Sequence, residues 1–323
     1  MLKIGDAKAE PGQISVGRLD IGELREGTGF GLPVAAVNGV EDGPLLYIQA
    51  GSDGNELNGI GVVRNLMADL DPQQLRGGIL IVSPLNFHGY QLAKHRNPLD
   101  NEKINRTFPG KQEGSISERL SHAVFEYAKE SDLVLDLHQG GTSRMINEVR
   151  VRVDEEHQLH QECLELAQVF GIEYILDKGG PDGQLARAAP DQGVPTIDPE
   201  LGGCVGWDSE SIELGVQGVL NVLRYYGFLE GEPLLPDSYT VVDDFQKFYA
   251  GRGGLVEYEA DFQGEVASGD GLFKVTDLFG RPLETVESTV DGIFWRKKRL
   301  PMTASGEEVC QVGLNPRKLT FAG

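Results

Sequence analysis

The sequence predicts an α/β domain, with a mixed sheet flanked by helices, followed by a small all-β domain. Three observations predict it. Short apolar runs rich in β-branched residues alternate with stretches of helical periodicity up to about residue 230. The helical period then fades after GFLEGEPLLPDS, and the residues beyond it break into short strand-like pieces separated by Gly, Asp and Pro. Finally, 323 residues with 40% hydrophobic content can supply a core for one large domain and a small one.

The runs LLYIQA (45–50) and ILIVSPL (79–85), each bounded by Gly or Pro, read as buried strands. Between them, Leu57, Ile60, Val63, Leu66, Met67 and Leu70 recur at helical spacing, which makes a strand–helix–strand unit and a parallel sheet. Ser115 and Glu118 form a capping box for a helix over 117–129, followed by the strand 133–137. Further helices are expected over 154–170 and from Asp208 to Gly227. These elements give a first domain over 1–235 and a β domain over 240–323. Within the latter, GEVASGDGLFKV and STVDGIFW resemble the hairpins of biotinyl and lipoyl carrier domains, but no lysine stands at the hairpin position where a carrier would be modified.

Charge and cysteine content exclude several classes of function. Fifty acidic against 29 basic residues give a net charge of −21, a field that repels nucleic acid and anionic membranes. Ordinary solubility also accounts for that acidity. Three scattered cysteines offer no paired metal spacing and cannot close completely into disulfides, so a cytoplasmic location is expected. Neither an export signal nor a membrane-spanning run is read from the sequence.

Four segments carry candidate chemistry. In GSDGNELNG (51–59), Asp53 and Glu56 stand three apart where a strand gives way to a helix; two oxygens at that spacing reach one metal ion or, equally, cap the helix. In HRNPLDNEKINRTFPG (95–110), Arg96, Asn105 and Arg106 lie in a loop suited to carboxylate recognition or simply to solvation. In DLVLDLHQGG, His138 directly follows a strand, as a ligand or as a hydrogen-bonded structural residue, with Asp136 able to orient it. In PTIDPELGGC (195–204), Glu200 is a turn residue or a general base for an attacking water.

Taken in this order, the four segments resemble the succinylglutamate desuccinylase and aspartoacylase family, a branch of the zinc carboxypeptidase superfamily. Asp53 to Glu56 matches its His-Gly-Asn/Asp-Glu pattern in all but the first residue. Asn-Arg-x-Phe-Pro-Gly is intact at 105–110, Asp-Leu-His at 136–138 and Glu-x-Gly-Gly at 200–203. The resemblance implies a zinc-carboxypeptidase-like fold with an appended β domain, and metal-dependent cleavage of the amide bond of an N-acyl amino acid. It implies Asp53, Glu56 and His138 as metal ligands, Glu200 as general base and Arg96 polarising the scissile carbonyl. Asn105 and Arg106 would grip the carboxylate of a small-molecule substrate. One zinc per chain is expected, with manganese or another divalent ion as a substitute. A carboxypeptidase acting on short peptides and a metal-free binding protein are the alternatives, and the β domain is expected to narrow the cleft or build a homo-oligomer.

The departure is Asp53, where the family has its first histidine. Aspartate binds zinc through oxygen at about 2.0–2.2 Å, so the site need not be lost. Two carboxylates and a neutral imidazole neutralise a divalent ion, however, which predicts weaker Lewis acidity and greater tolerance for manganese. His88 and His95 lie near the arginine loop but match no ligand position of the family. His122, His157 and His160 fall on expected helices, on their exposed faces.

Overall fold

A computed structural model of the chain describes residues 1–204 and 206–321; the last two residues of the expected β domain, 322 and 323, lie outside them. Ten strands form one mixed sheet. Across it run Arg317–Leu319, Tyr239–Val242, Tyr174–Asp177, Glu148–Val151, Thr196–Glu200, Leu133–Leu137, Glu41–Ala50, Arg76–Val82, Gly29–Asn38 and Gln13–Glu23. The centre is parallel, as the apolar runs predict: Glu41–Ala50 pairs with both Arg76–Val82 and Leu133–Leu137, and Leu133–Leu137 pairs with Thr196–Glu200.

Helices cover both faces. Asn58–Asp69, His160–Phe170 and Ser209–Tyr225 pack on one side through Val62, Leu66, Leu166, Phe170, Val219 and Val222. Ile116–Ala128 covers the other with Leu120, Val124 and Phe125, and its capping box from Ser115 to Glu118 is formed. Parallel strands buried on both faces have no solvent side, which is why they read as continuous apolar runs.

Two elements differ from expectation. The helix expected from residue 154 begins at His160, because the preceding residues form a turn in which His157 N donates to Asp154 O and Leu159 N donates to His157 Nδ1. The helix after Asp53 and Glu56 begins at Asn58; the Leu57 and Asn58 amides donate to Gln139 Oε1 (2.8 and 3.0 Å), so a side chain from the next loop satisfies them.

The carboxy-terminal strands form two further sheets around Phe248, Leu272, Phe273, Phe294 and Val312. They are tied to the large sheet in two ways. Tyr239–Val242 and Arg317–Leu319 extend its edge, and Gly292–Lys298 pairs with Ser143–Met145 from the loop after His138. Trp295 is fully buried at this junction, between Tyr174 and Phe245.

Candidate metal and hydrolytic site

The carboxyl ends of three adjacent parallel strands carry the site, which is where open α/β sheets bind ligands. Glu41–Ala50 leads into the loop with Asp53 and Glu56, Leu133–Leu137 into His138, and Thr196–Glu200 ends on Glu200. His138 continues the pairing beyond its strand: its amide donates to Pro199 O (2.9 Å) and its carbonyl accepts from Leu201 N (2.9 Å), which fixes it beside Glu200. The Asp53 loop is tight. Gly51 has φ +70°, and a Cβ on Gly54 would come within 2.3 Å of the Gly89 backbone.

Asp53, Glu56 and His138 converge there and all three are buried. His138 Nδ1 lies 3.0 Å from Glu56 Oε2 and 3.9 Å from Asp53 Oδ2. On the other ring edge, Asp136 Oδ2, Asn105 Nδ2 and Ser52 Oγ lie 3.1, 3.0 and 3.2 Å from Nε2. Asp136 is held in turn by Gln49 Nε2 (2.8 Å), and Gln49 accepts from the Tyr47 hydroxyl (3.2 Å). A buried polar chain of this kind orients an imidazole and directs Nδ1 at the carboxylates.

Gln139 joins the loops. Its amide donates to Glu56 Oε2 (3.0 Å) and its side-chain nitrogen to Cys204 O (2.6 Å).

His95 also reaches the cluster, although it matches no family ligand position. Its loop is tied to this one by Gly54 N donating to His95 O, and one ligand atom each from Asp53, Glu56 and His95 lie within 4.8 Å of one another. Among the described residues Asp53 Oδ1 is buried with no hydrogen-bond partner, with His95 Nε2 3.5 Å away, and Lys103 Nζ stands 3.1 Å from Asp53 Oδ2. Burial, with Asp53 adding to it, pushes the Glu56 carboxyl up to about 8, against the pull of His138. Burial alone would lower His138, but Asp136, Asp198 and Glu56 hold it well above the usual histidine range. An orphaned carboxylate oxygen, oxygen and nitrogen donors at short range and carboxyl and imidazole groups that retain protons together fit a divalent cation, which would displace those protons.

Glu200 lies across a cavity of about 450 Å³ that Glu56, His95, Lys103, Arg150 and Arg296 also line. Its Oε1 is held by Arg150 Nη1 (2.6 Å), while Oε2 is buried without a hydrogen-bond partner among the described residues. Arg150 also binds Glu148 Oε1 through Nη2 (2.6 Å) and Nε (2.7 Å), and Trp295 Nε1 donates to Glu148 Oε2 (2.5 Å). Glu148 and Glu200 stand opposite each other in antiparallel register, a juxtaposition of like charges that Arg150 resolves.

The arginine loop is arranged differently from the other three segments. Asn105 is buried behind the His138 ring. Arg96 and Arg106 are exposed and line a neighbouring cavity, with Arg96 Nη1 donating to Asn101 O and Arg106 Nη1 to Asn105 O. Lys103 lines both cavities.

The family model for the succinylglutamate desuccinylase/aspartoacylase catalytic domain matches residues 42–226. Among curated proteins, the N-alpha-acetyl-L-2,4-diaminobutyric acid deacetylase of Halomonas elongata is 28% identical over 264 residues, 79% of this chain and 77% of that protein. A succinylglutamate desuccinylase/aspartoacylase from Rhodobacter sphaeroides superposes with a TM-score of 0.84 at 23% identity, covering 97% of this chain and 99% of that one. The product-bound ectoine utilization protein EutE (DoeB) from Ruegeria pomeroyi superposes at 0.81 and 22% identity, covering 94% and 95%.

Proposed function

Since the chain belongs to the succinylglutamate desuccinylase/aspartoacylase family, we propose that it is a metal-dependent amidohydrolase that removes the acyl group from an N-acyl amino acid or close derivative. The observation that carries this reading is the convergence of Asp53, Glu56, His138 and Glu200 at the ends of three adjacent strands.

Asp53, Glu56 and His138 would hold zinc or manganese, with His95 in reach of the same cluster. Such an ion supplies Lewis acidity toward the scissile carbonyl and makes water a stronger nucleophile at neutral pH. Glu200 acts as the base: Arg150 fixes Oε1, and Oε2 takes the proton of the attacking water and returns it to the leaving nitrogen. In this reading Arg96 exchanges Asn101 O for the scissile carbonyl, and Asn105 with Arg106 serves the substrate carboxylate. Lys103 already stands at the cavity wall, where a preorganised cation stabilises a developing oxyanion.

We read 1–235 as the hydrolase domain and 240–323 as the β domain. Three free cysteines support a reducing, cytoplasmic setting. The Halomonas elongata relative is a deacetylase, so N-acetyl amino acids are the first substrates to assay.

The deciding experiment is elemental analysis of protein purified without chelator, for the wild type and Asp53→Ala, alongside a screen of N-acyl amino acids. The expected result is about one zinc or manganese per wild-type chain, as for a catalytic mononuclear site, and loss of both metal and hydrolysis in the variant. A wild-type chain that takes up neither metal when both are supplied would overturn the reading.

A further inference from the structure

We infer that Arg296, contributed by the carboxy-terminal β domain, is a specificity-determining residue that recognises a carboxylate of the substrate. The inference rests on the hydrolase reading for the identity of the cavity. It concerns a residue outside the four motifs.

Arg296 lines the cavity that holds Glu56, His95 and Glu200. The other cations on that wall are engaged, Lys103 with Asp53 and Arg150 with Glu148 and Glu200. Its neighbours along the strand are engaged as well: Lys297 lies over the Tyr258 and Phe262 rings, and Lys298 pairs with Glu307. Arg296 differs from all of them. Its Nε is buried without a hydrogen-bond partner, and among the described residues no carboxylate pairs with its guanidinium. In a chain with 50 acidic residues, a cation on a cavity wall with no protein carboxylate is suited to receive one from a ligand, because a guanidinium offers a planar fork that matches a carboxylate.

The backbone explains how the side chain is aimed. Gly292–Lys298 pairs with Glu308–Leu314, and the register shifts between Phe294 and Arg296, so that Trp295 is the extra residue of a bulge. A bulge breaks the strict alternation of faces and re-aims side chains, commonly beside active sites. Here Trp295 is locked by its bond to Glu148, and Arg296 crosses opposite Met145, the residue whose Sδ accepts from Arg150. The small domain thereby presents one anchored residue and one free cation to the site. A cavity of about 450 Å³ is in the range that accommodates a small N-acyl amino acid.

The carboxylate could belong to the amino acid backbone, to an acidic side chain or to a dicarboxylic acyl group, and substrate choice separates these. Steady-state kinetics would compare metal-loaded wild type, Arg296→Gln and Arg296→Lys on four compounds: an N-acetyl amino acid with a neutral side chain, its carboxamide, N-acetylaspartate and an N-succinyl amino acid. For the compound whose carboxylate is read, Arg296→Gln should raise KM by about 10- to 100-fold with kcat changed less than about threefold, and Arg296→Lys should fall between. A penalty on every acid but not on the carboxamide assigns the backbone carboxylate. A penalty confined to N-acetylaspartate or to the N-succinyl compound assigns that group.

Equal penalties on acids and carboxamide, or no change in KM on any of them, would overturn the inference. If the wild type hydrolyses none of the compounds, calorimetric titration of the same four reads Arg296 without turnover. Binding of the acids that is lost in Arg296→Gln would then uphold the carboxylate site while the hydrolase reading falls. Binding that is absent, or unchanged in the variant, would overturn this inference too.

Discussion

Replacing Arg150 with methionine tests the electrostatics beneath the site. The guanidinium is bound to Glu148 at 2.6 Å and to Glu200 at 2.6 Å, and the three side chains are 16%, 0% and 10% exposed. Without it, two carboxylates face each other across paired strands. Removing one partner of a buried pair costs about 3–5 kcal/mol. For 323 residues, an unfolding entropy of about 2.1 cal/mol/K per residue gives about 0.7 kcal/mol/K, so a loss of about 4 kcal/mol lowers Tm by about 6 °C. Glu148→Gln is the control, because it retains an acceptor for Trp295 and leaves Arg150 paired with Glu200; it should cost about 1–2 kcal/mol.

The difference should also depend on pH. Burial raises the Glu148 carboxyl against the pull of Arg150, so its charged form destabilises the fold as pH rises. The gap between Arg150→Met and wild type should therefore narrow as pH falls and the Glu148 carboxylate takes up its proton. Thermal melts by circular dichroism would measure both effects. An Arg150→Met chain that melts within about 1 °C of wild type, or no lower than Glu148→Gln, would refute the argument that Arg150 neutralises this pair.

The remaining predictions concern protons and thiols. Glu56, at about 8 against a usual 4.5, contributes stability to the metal-free protein that is complete below pH 4.5 and lost as pH rises through about 8. Zinc takes the deprotonated form, so calorimetry near pH 7 in two buffers of different ionisation enthalpy should show proton release that declines above pH 8; uptake without release would contradict the assignment. Burial pushes the Cys163 thiol up to about 11 and that of Cys310 up to about 12, while Cys204 is only half-buried. Native protein at about pH 8 should then react rapidly at a single thiol with an aromatic disulfide reagent, and Cys204→Ser should remove that phase; rapid reaction at a second thiol would count against the packing around the other two.

How much of this was legible in the sequence depended on whether a residue's role is local. The strands ending at Ala50 and Leu137 are apolar because both faces are buried, and the residues that follow them, Asp53, Glu56 and His138, read from that position as ligands or as caps and structural residues, with only the four segments together favouring the former. The capping box at Ser115 and Glu118 is likewise a local signature. The long strand Gln13–Glu23 gave no such signal: it is an edge strand, mostly exposed or half-buried, so its apolar residues are sparse.

Residues whose role depends on pairing were not readable. Glu148 and Arg150 belong to EVRVRV, an alternating pattern that suits an exposed strand. Only the register against Thr196–Glu200 sets Glu148 opposite Glu200 with Arg150 bound to both. Trp295 and Arg296 lie 95 and 96 residues beyond Glu200 in the chain, and it is the pairing of Gly292–Lys298 with Ser143–Met145 that brings them to the cavity. His95 was visible as a titratable residue but reaches the cluster only because its carbonyl receives the Gly54 amide. Arg106 shows the converse: a motif fixes its identity, yet its guanidinium donates to Asn105 O and lines the neighbouring cavity, as does that of Arg96, which donates to Asn101 O.

The same distinction bears on Asp53. Judged by position, an aspartate in place of a neutral histidine would add one negative charge to the ligand set around a divalent ion and weaken its pull on a carbonyl. Judged by its surroundings, the charge is returned: Lys103 Nζ stands 3.1 Å from Asp53 Oδ2, is 23% exposed and lines the cavity that Glu200 also lines. An ammonium there offsets the second carboxylate within the cluster. Asp53 Oδ1 remains without a hydrogen-bond partner, so the pair with Lys103 leaves a donor oxygen for a cation. For the proposed metal site, the electrostatic loss expected from the aspartate alone therefore would not follow, because the charge that governs a metal centre is the sum over the groups around it.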